Sequence, residues 1–124
     1  MAYVFFNSNP RGKYVGDCVI RAISKILDED WEQTYVMLTL QGYIMSDMPS
    51  ANHVWGAFLQ SQGFERYAIP NTCPNCYTVA DFCRDNPLGD FILATGSHVI
   101  AVRDGDYYDS WDSGMEVPIY YFRR

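Results

Sequence analysis

The sequence has few basic residues: Lys and Arg together number 9, against 15 Asp and Glu, for a formal net charge of −6. Nucleic-acid binding requires clustered Lys and Arg to neutralise phosphates. Here the basic residues are scattered, and the only adjacent pair is Arg123-Arg124. We therefore expect neither nucleic acid nor an anionic membrane surface as a partner.

Long apolar runs are also absent. None approaches the ~18–20 residues that a membrane-spanning helix requires. The segment Met1–Pro10 lacks the basic region and apolar stretch of a secretory signal. No repeat or linker divides the chain. We expect a single domain over residues 1–124, located in the cytoplasm with reduced thiols.

The four cysteines are too few for a complete zinc motif. Cys73-Pro74-Asn75-Cys76 is a CxxC pair, and Cys83 follows, but three thiolates leave a tetrahedral site one ligand short. His53, an aspartate or a second chain could complete it. We favour reduced cysteines in a loop, with Cys83 packed inward beside Phe82, and we expect no metal and no cofactor.

Helix signals dominate the first two thirds of the chain. Four helices are predicted: one capped by Asp17, one capped by Asp30 with Gln33, one from Asn52 to Gly63, and one capped by Thr78 with Asp81 that stops before Pro87. Residues 1–15 are predicted to be extended, and residues 41–51 to form a loop.

Towards the C-terminus the apolar period changes to two, which is typical of strands. Strands are predicted at 64–69, 90–95, 97–103, 107–111 and 117–122. Helices followed by strands indicate an α+β fold, in which N-terminal helices pack on a C-terminal antiparallel sheet.

Cys18 lies at the predicted start of the first helix. Free N–H groups and the helix dipole lower the pKa of a thiol at that position, and the thiolate is the nucleophilic form. The Cys18 N–H would also be free to stabilise an oxyanion. The alternative is an ordinary buried cysteine.

Only two histidines are present, and His98 opens an apolar strand. An Asp104-Gly105 turn would place His98 opposite Trp111, with Asp109 one diagonal step away on the same face. A carboxylate there would orient the imidazole. His53 has no carboxylate at a useful spacing.

Two residues near Asp109 have open interpretations. Asp112 points to the other face unless the turn has three residues, in which case it replaces Asp109. Trp111 either packs beside the imidazole and shields it from water or belongs to the core. A surface histidine in a polar hairpin is the alternative for His98.

Three segments together resemble small papain-like cysteine peptidase domains of bacterial and bacteriophage proteins: Gly16-Asp17-Cys18, the strand from Ser97 to Val102, and Tyr108 to Asp112. The resemblance covers about residues 9–111 and extends distantly to bacteriocin-leader peptidases. It implies a papain-like fold with Cys18 as nucleophile, His98 as general base and acid, and Asp109 as the orienting carboxylate.

The chain departs from the papain pattern at the oxyanion hole. The glutamine that papain-type enzymes place six residues before the cysteine is replaced here by Gly12. Asn9 is the predicted substitute amide donor, and Asn7 is a weaker candidate. The Cys-Gly-Ser-Cys-Trp signature of papain itself is also missing.

The sequence thus predicts a cysteine peptidase or amide hydrolase that acts on a peptide or protein through a thioester. The main alternative is a catalytically inactive papain-fold module that binds a peptide or protein. A third is a host-interaction protein that acts through its aromatic surface.

Overall fold

The computed structural model describes residues 2–124. Its helices are α1 (Cys18–Leu27), α2 (Trp31–Met45), α3 (Asn52–Ser61) and α4 (Val79–Asp85). Its strands are β1 (Ala2–Phe5), β2 (Glu65–Ala68), β3 (Asp90–Ala94), β4 (Val99–Arg103), β5 (Asp106–Asp109) and β6 (Tyr120–Arg123). The fold is α+β, as predicted.

The strands form one six-stranded sheet in the order β1-β5-β4-β3-β6-β2. All neighbouring pairs are antiparallel except one, because β1 runs parallel to β5 with Tyr3 opposite Tyr107. The predicted antiparallel sheet is therefore corrected to a mixed sheet. The segment at the N-terminus was expected to be extended but not to pair, since its partner lies about a hundred residues away and leaves no local signal.

Helices cover both faces of the sheet. On one face α1 and α3 pack over a core that includes Ile23, Trp55 and Phe122, all nearly inaccessible to solvent. On the other face α4 packs through Phe82 and Cys83 against Phe91 and its neighbours. Because β4 lies in the interior of the sheet, every one of its residues except Arg103 is buried.

Helix α2 is longer than predicted, since it extends through residues 41–45 of the expected loop. Its outer face carries exposed apolar side chains, including Val36, Leu40 and Ile44, so apolar residues are not confined to the buried face of this helix. Gly42 permits the close approach of the following segment: a Cβ there would lie 2.6 Å from the Asp47 carbonyl oxygen. Nowhere in residues 2–124 is a helix both long and apolar enough to cross a membrane.

Two of the predicted caps form as expected, and one does not. Thr78 and Asp81 make a reciprocal capping box at α4, and Asp30 accepts the Gln33 N–H at 2.7 Å. Asp17 occupies the cap position of α1, but its side chain makes no cap hydrogen bond. The Asp17 carboxylate is instead used by Arg21 and Trp31.

The CxxC pair is oxidised rather than reduced. The chain folds back over residues 73–76, which brings the Cα atoms of Cys73 and Cys76 to 4.1 Å, and the two sulfurs are bonded. This corrects the expectation of free thiols in that loop. Cys83 is free and 1% exposed beside Phe82, as predicted, and burial raises the pKa of its thiol to about 11.

Candidate active site

Cys18 is the first residue of α1. No hydrogen bond joins its backbone N–H to a carbonyl in residues 2–124, as expected at a helix start. Cys18, His98 and Val99 line the same depression, and the His98 side chain and the Val99 backbone N–H both lower the pKa of the thiol. The thiol is only partly buried and borders two surface depressions of about 200 and 400 Å³.

The β4–β5 hairpin delivers His98 to this thiol. Its register is the one predicted from an Asp104-Gly105 turn, with Arg103 opposite Asp106 and both turn residues at positive φ. His98, one residue before β4, therefore reaches Asp109 diagonally, and Nε2 lies 2.6 Å from Asp109 Oδ2. Because Nε2 is used by Asp109, Nδ1 is the ring nitrogen that remains for Cys18.

Both carboxylate oxygens of Asp109 accept hydrogen bonds. Its carboxylate is 1% exposed and accepts the Ser113 hydroxyl at 2.7 Å on Oδ2 and the Ser110 N–H at 2.8 Å on Oδ1. Arg21 Nη2 donates to the same Oδ1 at 2.9 Å. These donors satisfy the buried anion and fix the plane in which it meets His98.

Arg21 is itself buried and bridges two carboxylates. Its Nη1 donates to Asp17 Oδ1 at 2.5 Å, one helical turn earlier on α1. Asp17 also accepts the Trp31 indole N–H at 2.9 Å on Oδ2. A continuous buried chain of polar contacts thus runs from α2 through Asp17, Arg21 and Asp109 to His98.

Opposing effects act on the Cys18 thiol. Burial by itself would raise its pKa, but the hydrogen bonds with His98 and Val99 and the positive charges of His98 and Arg21 outweigh burial, so the pKa is lowered. The thiol is therefore easier to ionise than an isolated cysteine.

The pKa values of His98 and Asp109 shift in the directions that favour the charged form of each group. Burial would lower the pKa of His98, but its hydrogen bonds with Asp109 and Cys18 dominate and raise it to about 9. Burial would raise the pKa of Asp109, yet hydrogen bonds from His98 and Ser113 keep it below its usual range. All three shifts favour the charged forms, which are a thiolate at Cys18, an imidazolium at His98 and a carboxylate at Asp109.

Asp112 and Trp111 are placed differently with respect to the His98 imidazole. Asp112 accepts the Tyr107 hydroxyl at 2.6 Å, so it is turned away from His98 and Asp109 remains the partner. The Trp111 ring lies 4.9 Å from the imidazole centroid. Trp111 is 46% exposed, so it covers the imidazole from solvent and is not part of the core.

The structure does not bring Asn9 to Cys18. The Asn9 Oδ1 accepts the N–H groups of Arg11 and Lys13 in a tight turn, and Asn9 lines a separate depression. Asn7 is engaged in the same turn, where it accepts the Asn9 N–H. The predicted oxyanion role of Asn9 is therefore not supported by its position, because Asn9 lines a depression that Cys18 does not share.

Asn52, which sequence reasoning missed, lines the smaller depression together with Cys18 and His98. Its Oδ1 accepts the Trp55 indole N–H at 3.1 Å. Since an indole N–H can only donate, this contact fixes the amide orientation and leaves Asn52 Nδ2 available as a donor. No local sequence pattern predicts this placement, because it depends on the tertiary packing that brings the start of α3 to the depression lined by Cys18 and His98.

Arg21 and Ser113 were also missed. Arg21 could have been noticed from its spacing to Asp17, since side chains four residues apart meet on one helix face. Its second partner, Asp109, is 88 residues away, so its role at the site has no local signature. Ser113 follows β5 and comes within reach of Asp109 only because the chain turns back there.

His53 differs from expectation in having a carboxylate partner. Its Nε2 lies 2.6 Å from Asp47 Oδ2, at the exposed start of α3. Within residues 2–124, no group of three His, Cys, Asp or Glu side chains is placed to hold a metal ion.

Comparison with protein-family models, with curated proteins and with solved structures finds no match to this chain.

Proposed function

We propose that this chain is a papain-like cysteine peptidase or amide hydrolase, with Cys18 as nucleophile, His98 as general acid and base, and Asp109 as the orienting carboxylate. One observation carries the proposal: Cys18, at a helix start, shares a depression with the His98 imidazole, which lowers the pKa of its thiol and whose Nε2 lies 2.6 Å from a buried carboxylate. That is the arrangement by which a thiol is activated for acyl transfer.

The papain-like fold is part of the same proposal. The order of elements supports it, since the cysteine begins a helix near the N-terminus while the histidine and aspartate come from a β-hairpin near the C-terminus. The helix α1 packs against β4 and β5, which places the two halves of the proposed site in contact.

In the first half-reaction, Cys18 Sγ attacks the carbonyl carbon of a peptide or isopeptide bond and forms a C–S bond. The carbonyl electron pair moves to oxygen. When the tetrahedral intermediate collapses, the C–N bond breaks and the His98 imidazolium gives its proton to the leaving amine. The products of this step are a free amine and a thioester on Cys18.

In the second half-reaction, neutral His98 accepts a proton from water, and the hydroxide attacks the thioester carbonyl. Collapse breaks the C–S bond and releases a carboxylic acid and the Cys18 thiolate. Asp109 stays ionised throughout, and it stabilises the imidazolium each time that it forms.

Two groups are placed to stabilise the oxyanion. The Cys18 N–H has no carbonyl partner in residues 2–124, and the Asn52 amide borders the depression that Cys18 and His98 share. Donors held in place before the reaction are worth most in such a site, because they need no reorganisation as charge develops. Asn52 would thus supply the amide donor to the oxyanion that the sequence predicts at Asn9.

The second candidate is an inactive binding module with the same fold. It is favoured by the position of Asn9, which leaves the upstream segment without an oxyanion donor at Cys18. The open depressions around Cys18 would then hold a peptide or protein without cleaving it.

Thiol labelling separates the two candidates. Iodoacetamide is applied without reductant, and modified residues are located by mass spectrometry. Cys73 and Cys76 are bonded to each other and Cys83 is buried with a raised pKa, so Cys18 is the expected site of reaction. We expect fast labelling at neutral pH in the wild type and at least about tenfold slower labelling in His98→Ala.

His53→Ala is the matched control, since it removes the other histidine, which is exposed. Labelling of Cys18 that is slow, or equally fast with and without His98, would reject the activated thiol. Cleavage of a peptide library by the wild type but not by Cys18→Ala then tests turnover itself. His98-dependent labelling with no cleavage of any library member would favour the binding module.

A further inference from the structure

Three surface depressions near Cys18 are linked through shared lining residues. The depression of about 400 Å³ beside Trp111 shares Cys18 and His98 with the depression of about 200 Å³. The latter shares Asn52 with a groove of about 390 Å³ between α3, β2 and β6. A peptide that lies across Cys18 would therefore extend past Asn52 into this groove, which we call the α3 groove.

Arg66 gives the α3 groove its charge. It lies on the sheet face that also carries Tyr120 and Phe122, and its guanidinium stacks on the Tyr120 ring at 4.0 Å. Arg21, Arg84 and Arg103 each pair with a carboxylate. Arg66 has no such ion pair with any group in residues 2–124, although the chain carries a net negative charge.

The start of α3 adds positive potential at the end of the groove nearest Cys18. Ala51 is the cap residue and has no side chain that could accept from the first N–H groups. Uncapped N–H groups and the helix dipole favour an anion at such a position. The carboxylate of Asp47 lies 2.6 Å from His53 Nε2 at the same helix end, and Asp47 is not among the residues that line the α3 groove.

We propose that the α3 groove binds a carboxylate of the substrate, and that Arg66 is the residue that pairs with it. This inference rests on the proposed peptidase function, because it names the class of peptide that the proposed active site would bind. Stacking on Tyr120 holds the guanidinium in place, so little side-chain freedom is lost when the carboxylate binds. The carboxylate belongs either to an Asp or Glu side chain or to a free C-terminus.

The test uses two sets of fluorescent hexapeptides bound to Cys18→Ala, which needs no catalysis. One set places Glu or Gln at each position in turn, and the other carries a C-terminal acid or amide. At low salt, we expect one Glu position, or the C-terminal acid, to bind at least about tenfold more tightly than its neutral counterpart. The position of the preference distinguishes a side chain from a terminus.

In the same background, Arg66→Gln should abolish the preference and Arg66→Glu should reverse it, so that the neutral member of the pair binds more tightly. Arg123→Gln is the matched control, because it removes the same charge from the adjacent strand on the opposite sheet face, where Arg123 lies over Phe91. The control should retain the preference, which should also weaken as salt is added.

Equal binding of the charged and neutral members of every pair, or a preference that survives Arg66→Gln, would overturn the proposal. This outcome is independent of the proposed chemistry, which fails separately if Cys18 labelling by neutral iodoacetamide does not depend on His98. A carboxylate preference without His98-dependent labelling would describe a binding module with an acidic ligand.

Discussion

Arg21 Nη2 donates to Asp109 Oδ1 at 2.9 Å although the two residues are 88 positions apart in the sequence. Both side chains are almost completely buried, and Arg21 also holds Asp17. This contact ties α1, which carries Cys18, to the hairpin that carries His98. It therefore fixes the relative position of the two groups proposed to react.

We expect Arg21→Met to destabilise the fold by about 3–5 kcal/mol, because it leaves two buried carboxylates without their shared cation. Arg84→Met is the control: its pair with Asp81 is exposed, so its loss should cost no more than about 1 kcal/mol. Urea denaturation measures both. A loss for Arg21→Met no larger than for the control would show that the buried pair does not hold these elements together.

The rate of Cys18 alkylation should depend on pH through a thiolate that forms below the ordinary thiol pKa of 9.0, because the effects of His98 and Val99 on the thiol outweigh its burial. Amide cleavage should fall again as pH rises through about 9, since neutral His98 has no proton for the leaving amine. In Asp109→Asn the alkaline limb should move to lower pH. An alkaline limb that stays in place in this variant would contradict the role of Asp109.

The free energy of unfolding should also depend on pH through the titration of His98. The pKa of His98 is raised from 6.5 to about 9, so its contribution to stability is complete below pH 6.5 and disappears as pH rises through about 9. Comparison of Cys18→Ala with Cys18→Ala/His98→Gln removes the thiol, which titrates with the opposite sign, and keeps the Asp109 carboxylate, which by itself raises the pKa of His98 above 6.5. The stability difference between these two variants should shrink from neutral to alkaline pH. A difference that grows would reverse the assigned direction.

The hairpin and the distant contacts differ in how well sequence predicts them. The Asp104-Gly105 turn can be predicted from the two residues themselves, since both adopt positive φ. The turn sets the register of β4 and β5, and this register brings His98 to Asp109. The positions of Cys18 at a helix start and of the Thr78–Asp81 capping box are local in the same sense.

Other features arise only from tertiary packing. The parallel pairing of β1, the bridge from Arg21 to Asp109 and the approach of Asn52 to Cys18 join segments that are far apart in the chain. Asn9 was a reasonable substitute by position along the sequence, but its side chain satisfies the backbone of its own turn. Asparagine side chains commonly accept hydrogen bonds from nearby backbone N–H groups, and Asn9 does so in a turn that lines a depression separate from Cys18.

Gly42 allows α2 to run past the loop that leads to α3. An alanine Cβ at position 42 would meet the Asp47 carbonyl oxygen at 2.6 Å, and backbone atoms cannot move away cheaply. Alanine favours a helix interior by about 1 kcal/mol, while overpacking typically costs about 1–3 kcal/mol. We therefore expect Gly42→Ala to lower stability, measured by thermal unfolding. Gly16→Ala, whose Cβ would meet nothing within 4 Å, should be close to neutral, and a neutral or stabilising Gly42→Ala would contradict the close approach.

Asn52 offers the sharpest test of the proposed oxyanion site. Asn52→Asp keeps an oxygen for the Trp55 indole but replaces the amide donor with an anion beside Cys18. We expect kcat for peptide cleavage to fall about 10²- to 10³-fold while KM changes little, because the lost interaction forms only in the transition state. Asn9→Ala, which alters a turn outside both depressions at Cys18, should retain kcat. If the loss appears in Asn9→Ala and not in Asn52→Asp, the donor lies upstream of Cys18 after all.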